Sequence, residues 1–272
     1  MTQQRRWLIT GASSGFGAAF VRAALQAGDE VVAGVRRPDS MEDLVRQHPD
    51  RLTVVSLDVR DPAQCREAIA HAGRVDVLVN NAGYGIVGAV EESTEEEFRD
   101  ALEVMFFGAL RLTQLVLPQM RERRDGAIVQ ITSMGGLLAY PGNGAYCAAK
   151  GALELASEAL AAEVKPLGIR VLIVEPGAFR TGFAGPSLRL STPLPDYEQT
   201  VGVTRARLTQ MHGTQAGDPD RAAAAVLQVL NQPDPPLRLA LGEDAVSAIR
   251  EKITTLLEEL DQTEALSLAT TF

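Results

Sequence analysis

Tyr146 and Lys150 stand four residues apart in the run "AYCAAK", and Ser133 closes the apolar run "GAIVQITS" thirteen residues before the tyrosine. Four residues is about one helical turn, so the phenol and the ammonium share a face. A tyrosine ordinarily titrates at about pH 10. A neighbouring ammonium stabilises the phenolate and lowers that value. The phenol can then exchange a proton with a carbonyl or alcohol oxygen. A serine hydroxyl beside it can hold the same oxygen and steady its charge. Such chemistry needs a hydride donor or acceptor, which side chains do not provide and a nicotinamide does.

A second set of residues answers that need. In "TGASSGFG" the glycines are Gly11, Gly15 and Gly17, just after the apolar run Trp7-Leu8-Ile9. Between a strand and a helix, Gly11 permits a tight turn and Gly15 lets backbone approach a phosphate. Gly17 lets the helix lie close to the sheet. Free amides and the helix dipole then attract a pyrophosphate. The second strand ends "VVAGVRRP", with Val35 where an NAD site usually has an acid, followed by Arg36 and Arg37. Guanidinium groups there suit the 2′-phosphate of NADP, which makes NAD the less favoured cofactor.

The elements that position these residues are legible as alternating runs. Seven apolar stretches, "RWLIT", "EVVAGV", "LTVVSLDV", "VDVLVNNA", "GAIVQITS", "IRVLIVEP" and "LRLALG", read as strands buried on both faces. Helical stretches such as "AAFVRAALQAG", "EEEFRDALEVMFFGALRLTQLVLPQM" and "AYCAAKGALELASEALAAEVKPLG" lie between them. Repeated βαβ units predict an α/β, doubly wound parallel sheet in a single domain spanning 1–272. Residues 182–216 break the rhythm, with Pro186, Pro193 and Pro195 in the first half. They read as a lid or substrate loop. Residues 244–272 read as a helical extension, packed on the domain or on a neighbouring subunit.

Composition narrows the partners. A net charge of −9 argues against nucleic acid and anionic membrane surfaces. No apolar run approaches the roughly 20 residues of a spanning helix. Cys65 and Cys147 suggest neither a disulfide framework nor a metal site, and His48, His71 and His212 share no ligand spacing. The expectation is a cytoplasmic protein without a metal. In "EESTEEEF", Ser93 or Thr94 reads as a helix cap. Tyr84, Met134, Tyr140 and Phe183 follow motif residues, where either pocket lining or packing would account for them.

Taken together, "TGASSGFG", "LDVRD", "NNAG", Ser133, "YCAAK" and "EPGAFRT" resemble the short-chain dehydrogenase/reductase family over residues 7 to about 181. The resemblance implies a Rossmann-like fold with seven parallel strands. It implies Tyr146 as acid/base, Lys150 as its partner and ribose anchor, and Ser133 as the carbonyl holder. Ser13, Ser14 and Phe16 belong to the cofactor loop. Asp58 and Val59 would touch the adenine, Asn81, Ala82 and Gly83 the central part of the cofactor, and Pro176, Gly177 and Thr181 the nicotinamide. It further implies a homodimer or homotetramer built through long helices. The expected activity is that of a ketoreductase or alcohol dehydrogenase using NADPH on an apolar carbonyl or secondary alcohol. A weaker likeness, from "YGIVGAVEES" to "EPGAFRTGF", is to hydroxysteroid and retinol dehydrogenases.

One position departs from the pattern. The family often has Asn-x-x-Gly in the long helix before the catalytic strand, seating a water that links the lysine to solvent. Here "EVMFFGAL" puts Met105 at that asparagine. A thioether is a poor acceptor and no donor. Either another group serves the relay, or the enzyme is slow, or the chain carries an introduced substitution. A cofactor-binding regulator that has lost efficient catalysis is the rival reading.

Overall fold

The computed structural model describes residues 4–272. All seven expected strands form: β1 (Arg6–Thr10), β2 (Glu30–Val35), β3 (Leu52–Ser56), β4 (Val77–Asn80), β6 (Gly126–Ile131), β7 (Ile169–Pro176) and β9 (Arg238–Leu241). They make one sheet in the order β3-β2-β1-β4-β6-β7-β9, with every pairing parallel. Alternation along β1 shows why both faces are apolar. Trp7 and Ile9 join the core on one side, while Leu8 joins the core on the other.

Helices cover both faces. They are α1 (Gly15–Gln26), α2 (Glu42–Gln47), α3 (Pro62–Ala72), α4 (Glu95–Leu102), α5 (Gly108–Arg123), α6 (Gly144–Val164), α7 (Val203–Met211), α8 (Pro219–Leu230) and α9 (Glu243–Leu268). Their starts follow local chemistry. Asp61 accepts from the amides of Ala63 and Gln64, with Pro62 in the first turn of α3. Thr94, rather than Ser93, caps α4, in a reciprocal capping box with Glu97.

Two features depart from the sequence expectation. The stretch read as one helix contains a π-turn, Glu103–Phe107, between α4 and α5. This π-turn contains Met105, which is fully buried. The whole of Glu95–Arg123 has the length and apolar content to cross a membrane, although one face, with Leu112, Val116 and Met120, is packed into the core. The other departure is a small second sheet. β5 (Gly85–Val87) pairs in parallel with β8 (Leu188–Leu190), which ties the 182–216 segment to the chain after β4.

The chain builds β1, β2 and β3 to one side and then returns to place β4 on the other side of β1. That reversal opens a crevice beyond the carboxyl ends of the strands, where doubly wound sheets bind ligands.

Candidate active site

A cavity of about 740 Å³ occupies that crevice. Its first wall is the turn after β1. Gly11 has φ +62°, a left-handed conformation that glycine adopts without strain. Ser14 stands at the N-cap of α1 with no side-chain bond to the first turn, so the amides there are left to a ligand. Gly17 does not line the cavity. A Cβ there would meet the Gly11 carbonyl at 2.2 Å and the Asn81 amide at 2.7 Å. Its part is to let helix, loop and the β4 end come together. Asn81 completes the joint, donating to the Thr10 carbonyl at 2.8 Å.

Of the residues expected around a cofactor, Gly11, Ser13, Ser14, Gly15 and Phe16 border the cavity, as do Arg36, Arg37, Asp58, Val59, Asn81, Ala82 and Gly83. So do Pro176, Gly177 and Thr181 at the other end. Arg36 and Arg37 are exposed at its rim. Asp58 is not a free carboxylate. Arg60 bonds it at 2.6 Å and holds its carboxyl below the usual range despite partial burial. Arg60 also reaches Asp100 at 3.3 Å. Asp100 in turn accepts from the Tyr84 hydroxyl and Arg189, each at 2.6 Å. Arg60 was visible in "LDVRD", but nothing near Arg189 in the chain foretold its place over the Tyr84 ring, 3.9 Å from the centroid.

Ser133, Tyr146 and Lys150 meet on the opposite wall. The Ser133 hydroxyl accepts from the Gly135 amide at 3.0 Å and donates to the Pro176 carbonyl at 3.4 Å, beside the Tyr146 phenol. Phe183 from the 182–216 segment presses edge-on against the Tyr146 ring, 5.2 Å between centroids. Lys150 is buried, donates to the Ile131 carbonyl at 2.7 Å and lies 5.9 Å from the Tyr146 ring centre.

Burial pushes the Tyr146 phenol well above its ordinary value, and the neighbouring Ser133 hydroxyl offsets part of that. The Lys150 ammonium gives its hydrogen bond to the Ile131 carbonyl and not to the phenol, and burial pushes it down to about 8. Cys147 borders the cavity too, but burial raises its thiol to about 11, which leaves it uncharged.

The 182–216 segment borders this end. Phe183, Arg207, Leu208 and Met211 face the cavity, together with Tyr84, Met134 and Tyr140. The segment is anchored by Glu92, which is fully buried. Burial works against its charge, but the amides of Ala89 and Leu194, both at 2.7 Å, and Arg205 at 3.0 Å outweigh that and keep its carboxyl low. Glu92 could not be picked out in the sequence, because two of its three partners, Leu194 and Arg205, lie roughly a hundred residues away. Asp244, opening α9, closes the cavity beside Gly177 and accepts from the Ala178 amide at 2.7 Å.

A parallel sheet with an amide-lined helix N-terminus at one end of its crevice and a serine–tyrosine–lysine group at the other defines a nucleotide-binding oxidoreductase scaffold. The short chain dehydrogenase family model matches residues 5–189, and the chain belongs to that family. It is 38% identical over 268 residues to the oxidoreductase BOA17 of Botryotinia fuckeliana, covering 97% of this chain and 98% of that protein. It is 36% identical to the 3-ketodihydrosphingosine reductase of Bacteroides thetaiotaomicron, covering 86% and 87%. Among solved structures, a short-chain dehydrogenase from Streptomyces avermitilis superposes with a TM-score of 0.94 at 48% identity, covering 100% of both chains. A short chain dehydrogenase from Burkholderia cenocepacia in complex with NADP gives 0.73 at 25% identity, covering 99% of both.

Proposed function

We propose that this chain is an NADP-dependent oxidoreductase that interconverts an apolar carbonyl compound and its secondary alcohol. The observation that carries the reading is that one cavity joins the open amides at Ser14 and Gly15 to Ser133, Tyr146 and Lys150. The residues fit a dinucleotide. The pyrophosphate would lie against the α1 N-terminus, the adenosine toward Asp58, Val59 and Arg60, and the nicotinamide end toward Pro176, Gly177 and Thr181. When bound, the nicotinamide supplies or accepts the hydride.

The chain's own residues do the rest. Ser133 and the Tyr146 phenol hold the substrate oxygen, and Tyr146 carries the proton to or from it. With its pKa raised by burial, Tyr146 is protonated at neutral pH, the state needed to protonate a forming alkoxide. Lys150 carries the positive charge beneath the site and anchors the ribose. NADP is preferred over NAD because exposed Arg36 and Arg37 follow β2 where an acid would otherwise receive the ribose hydroxyls. Tyr84, Met134, Tyr140, Phe183, Leu208 and Met211 give the substrate end an apolar and aromatic lining. The relative named as a 3-ketodihydrosphingosine reductase supports ketone reduction.

The test is a panel of apolar ketones and aldehydes, with nicotinamide absorbance as the readout. NADPH should be consumed faster than NADH, and Arg36→Asp or Arg37→Asp should weaken NADPH binding selectively. Tight NADPH binding with no turnover of any substrate would favour a cofactor-binding regulator. If neither arginine change affects NADPH selectively, the cofactor assignment fails.

A further inference from the structure

Helix α9 runs on after its contact with the domain. Ala245 in its first turn is buried, but every residue from Glu251 to Leu268 except Lys252 is exposed. This outer part is not polar all round. Ile253 is 54% exposed and Leu260 59% exposed, and Val246 and Leu256 are also exposed. Val246, Ile249, Ile253, Leu256 and Leu260 recur at alternating intervals of three and four, the a and d positions of a helix–helix seam. Among the described residues, the seam is exposed at Val246, Ile253, Leu256 and Leu260, and Ile249 is half-buried.

We propose that α9 pairs antiparallel with α9 of a second copy of this chain. The charges flanking the seam select both the partner and its direction. Setting Ile253 against the partner's Leu256, and Ile249 against the partner's Leu260, brings Lys252 opposite the partner's Glu259. Two-fold symmetry repeats the pair on the other flank. A parallel pairing would instead bring Glu259 against the partner's Glu264, a like-charge contact. The antiparallel seam closes this row on itself, with exposed Leu257 and Leu266 lying outside it.

This interface is separate from the long helices α4, α5 and α6, and it reaches the site through α9 itself. The first turn of α9 places Asp244 on the Ala178 amide at the cavity wall. A partner that holds α9 in place therefore also braces the strand end carrying Pro176 and Gly177.

Sedimentation equilibrium on the full chain tests the pairing. Leu256→Glu should halve the mass relative to the unaltered chain, with unchanged far-ultraviolet circular dichroism, because Leu256 is exposed on the protomer surface. Lys252→Glu should likewise shift the chain toward the smaller species, and adding Glu259→Lys to it should restore the larger one. Should Leu256→Glu fail to fold, mixing Ile253→Cys chains with Leu256→Cys chains under oxidising conditions gives the second readout, and a disulfide-linked pair is expected. A monomeric unaltered chain, an unchanged mass in folded Leu256→Glu, no rescue by the charge swap, or no cross-link would each overturn the proposal.

Discussion

Lys150 gives its ammonium to the Ile131 carbonyl at 2.7 Å and stands 5.9 Å from the centre of the Tyr146 ring. The lysine thus acts on the site as a buried charge tied to the end of β6, not as a hydrogen-bond partner of the phenol. Burial holds its pKa at about 8, below the usual ammonium value. In the free enzyme, kcat/KM for carbonyl reduction should therefore fall as pH rises through about 8, where the ammonium loses its proton. A pH–rate profile checks this, and a flat profile through that range would contradict it.

Met105 faces the same place from the π-turn. A methyl group added to Gly83 would stand 3.4 Å from the Met105 sulfur and 3.7 Å from the Lys150 ammonium. No donor or strong acceptor comes from the π-turn at this point. Met105→Asn should raise turnover by giving the lysine a polar neighbour. It should also lower stability by about 1–3 kcal/mol, because a buried amide must find partners in a packed site. Steady-state kinetics and thermal unfolding on one preparation measure both, and unchanged turnover would mean that the relay runs elsewhere.

Glu92 joins Arg205 of the 182–216 segment to the amides of Ala89 and Leu194. Glu92→Gln removes the charge at the centre of that anchor. Substrate KM should rise more than kcat falls, with a stability loss of about 1–3 kcal/mol, the scale of hydrogen bonds to a charged group. A fall in kcat with KM unchanged would show that the anchor serves the chemistry and not that segment.

Glu175 and Glu154 are both buried beside Arg238, at 3.4 and 2.9 Å respectively. Burial first, and then Glu154, raise the Glu175 carboxyl to about 7. Its folded pKa lies above the unfolded value, so between about 4.5 and about 7 the folded chain keeps a proton that the unfolded chain has released. Stability from this site is present at the acid end of that window and is lost as pH rises through it. Glu175→Gln should flatten that slope in denaturant titrations across the window. An unaltered slope would place the titration in another group.

How much of this was legible depended on whether a residue's partners were near it in sequence. The seven strands were readable because burial on both faces leaves unbroken apolar runs. Ser133, Tyr146, Lys150 and the glycines were readable because their spacing carries the chemistry. The π-turn was not, since "EVMFFGAL" keeps a helical pattern through the bulge. Glu92, Arg189 and Asp244 were not, since their contacts are made across the fold. Sequence placed an ammonium one turn from Tyr146 but could not show that its hydrogen bond would go to the Ile131 carbonyl.

The central claim is that the Tyr146 phenol carries the proton. Tyr146→Phe keeps the ring against Phe183 and removes the hydroxyl alone. Turnover of the best ketone should fall by about 10²–10⁴-fold, the range for a lost general acid, while NADPH binding measured by fluorescence titration stays unchanged. Turnover retained in the phenylalanine variant would contradict the account.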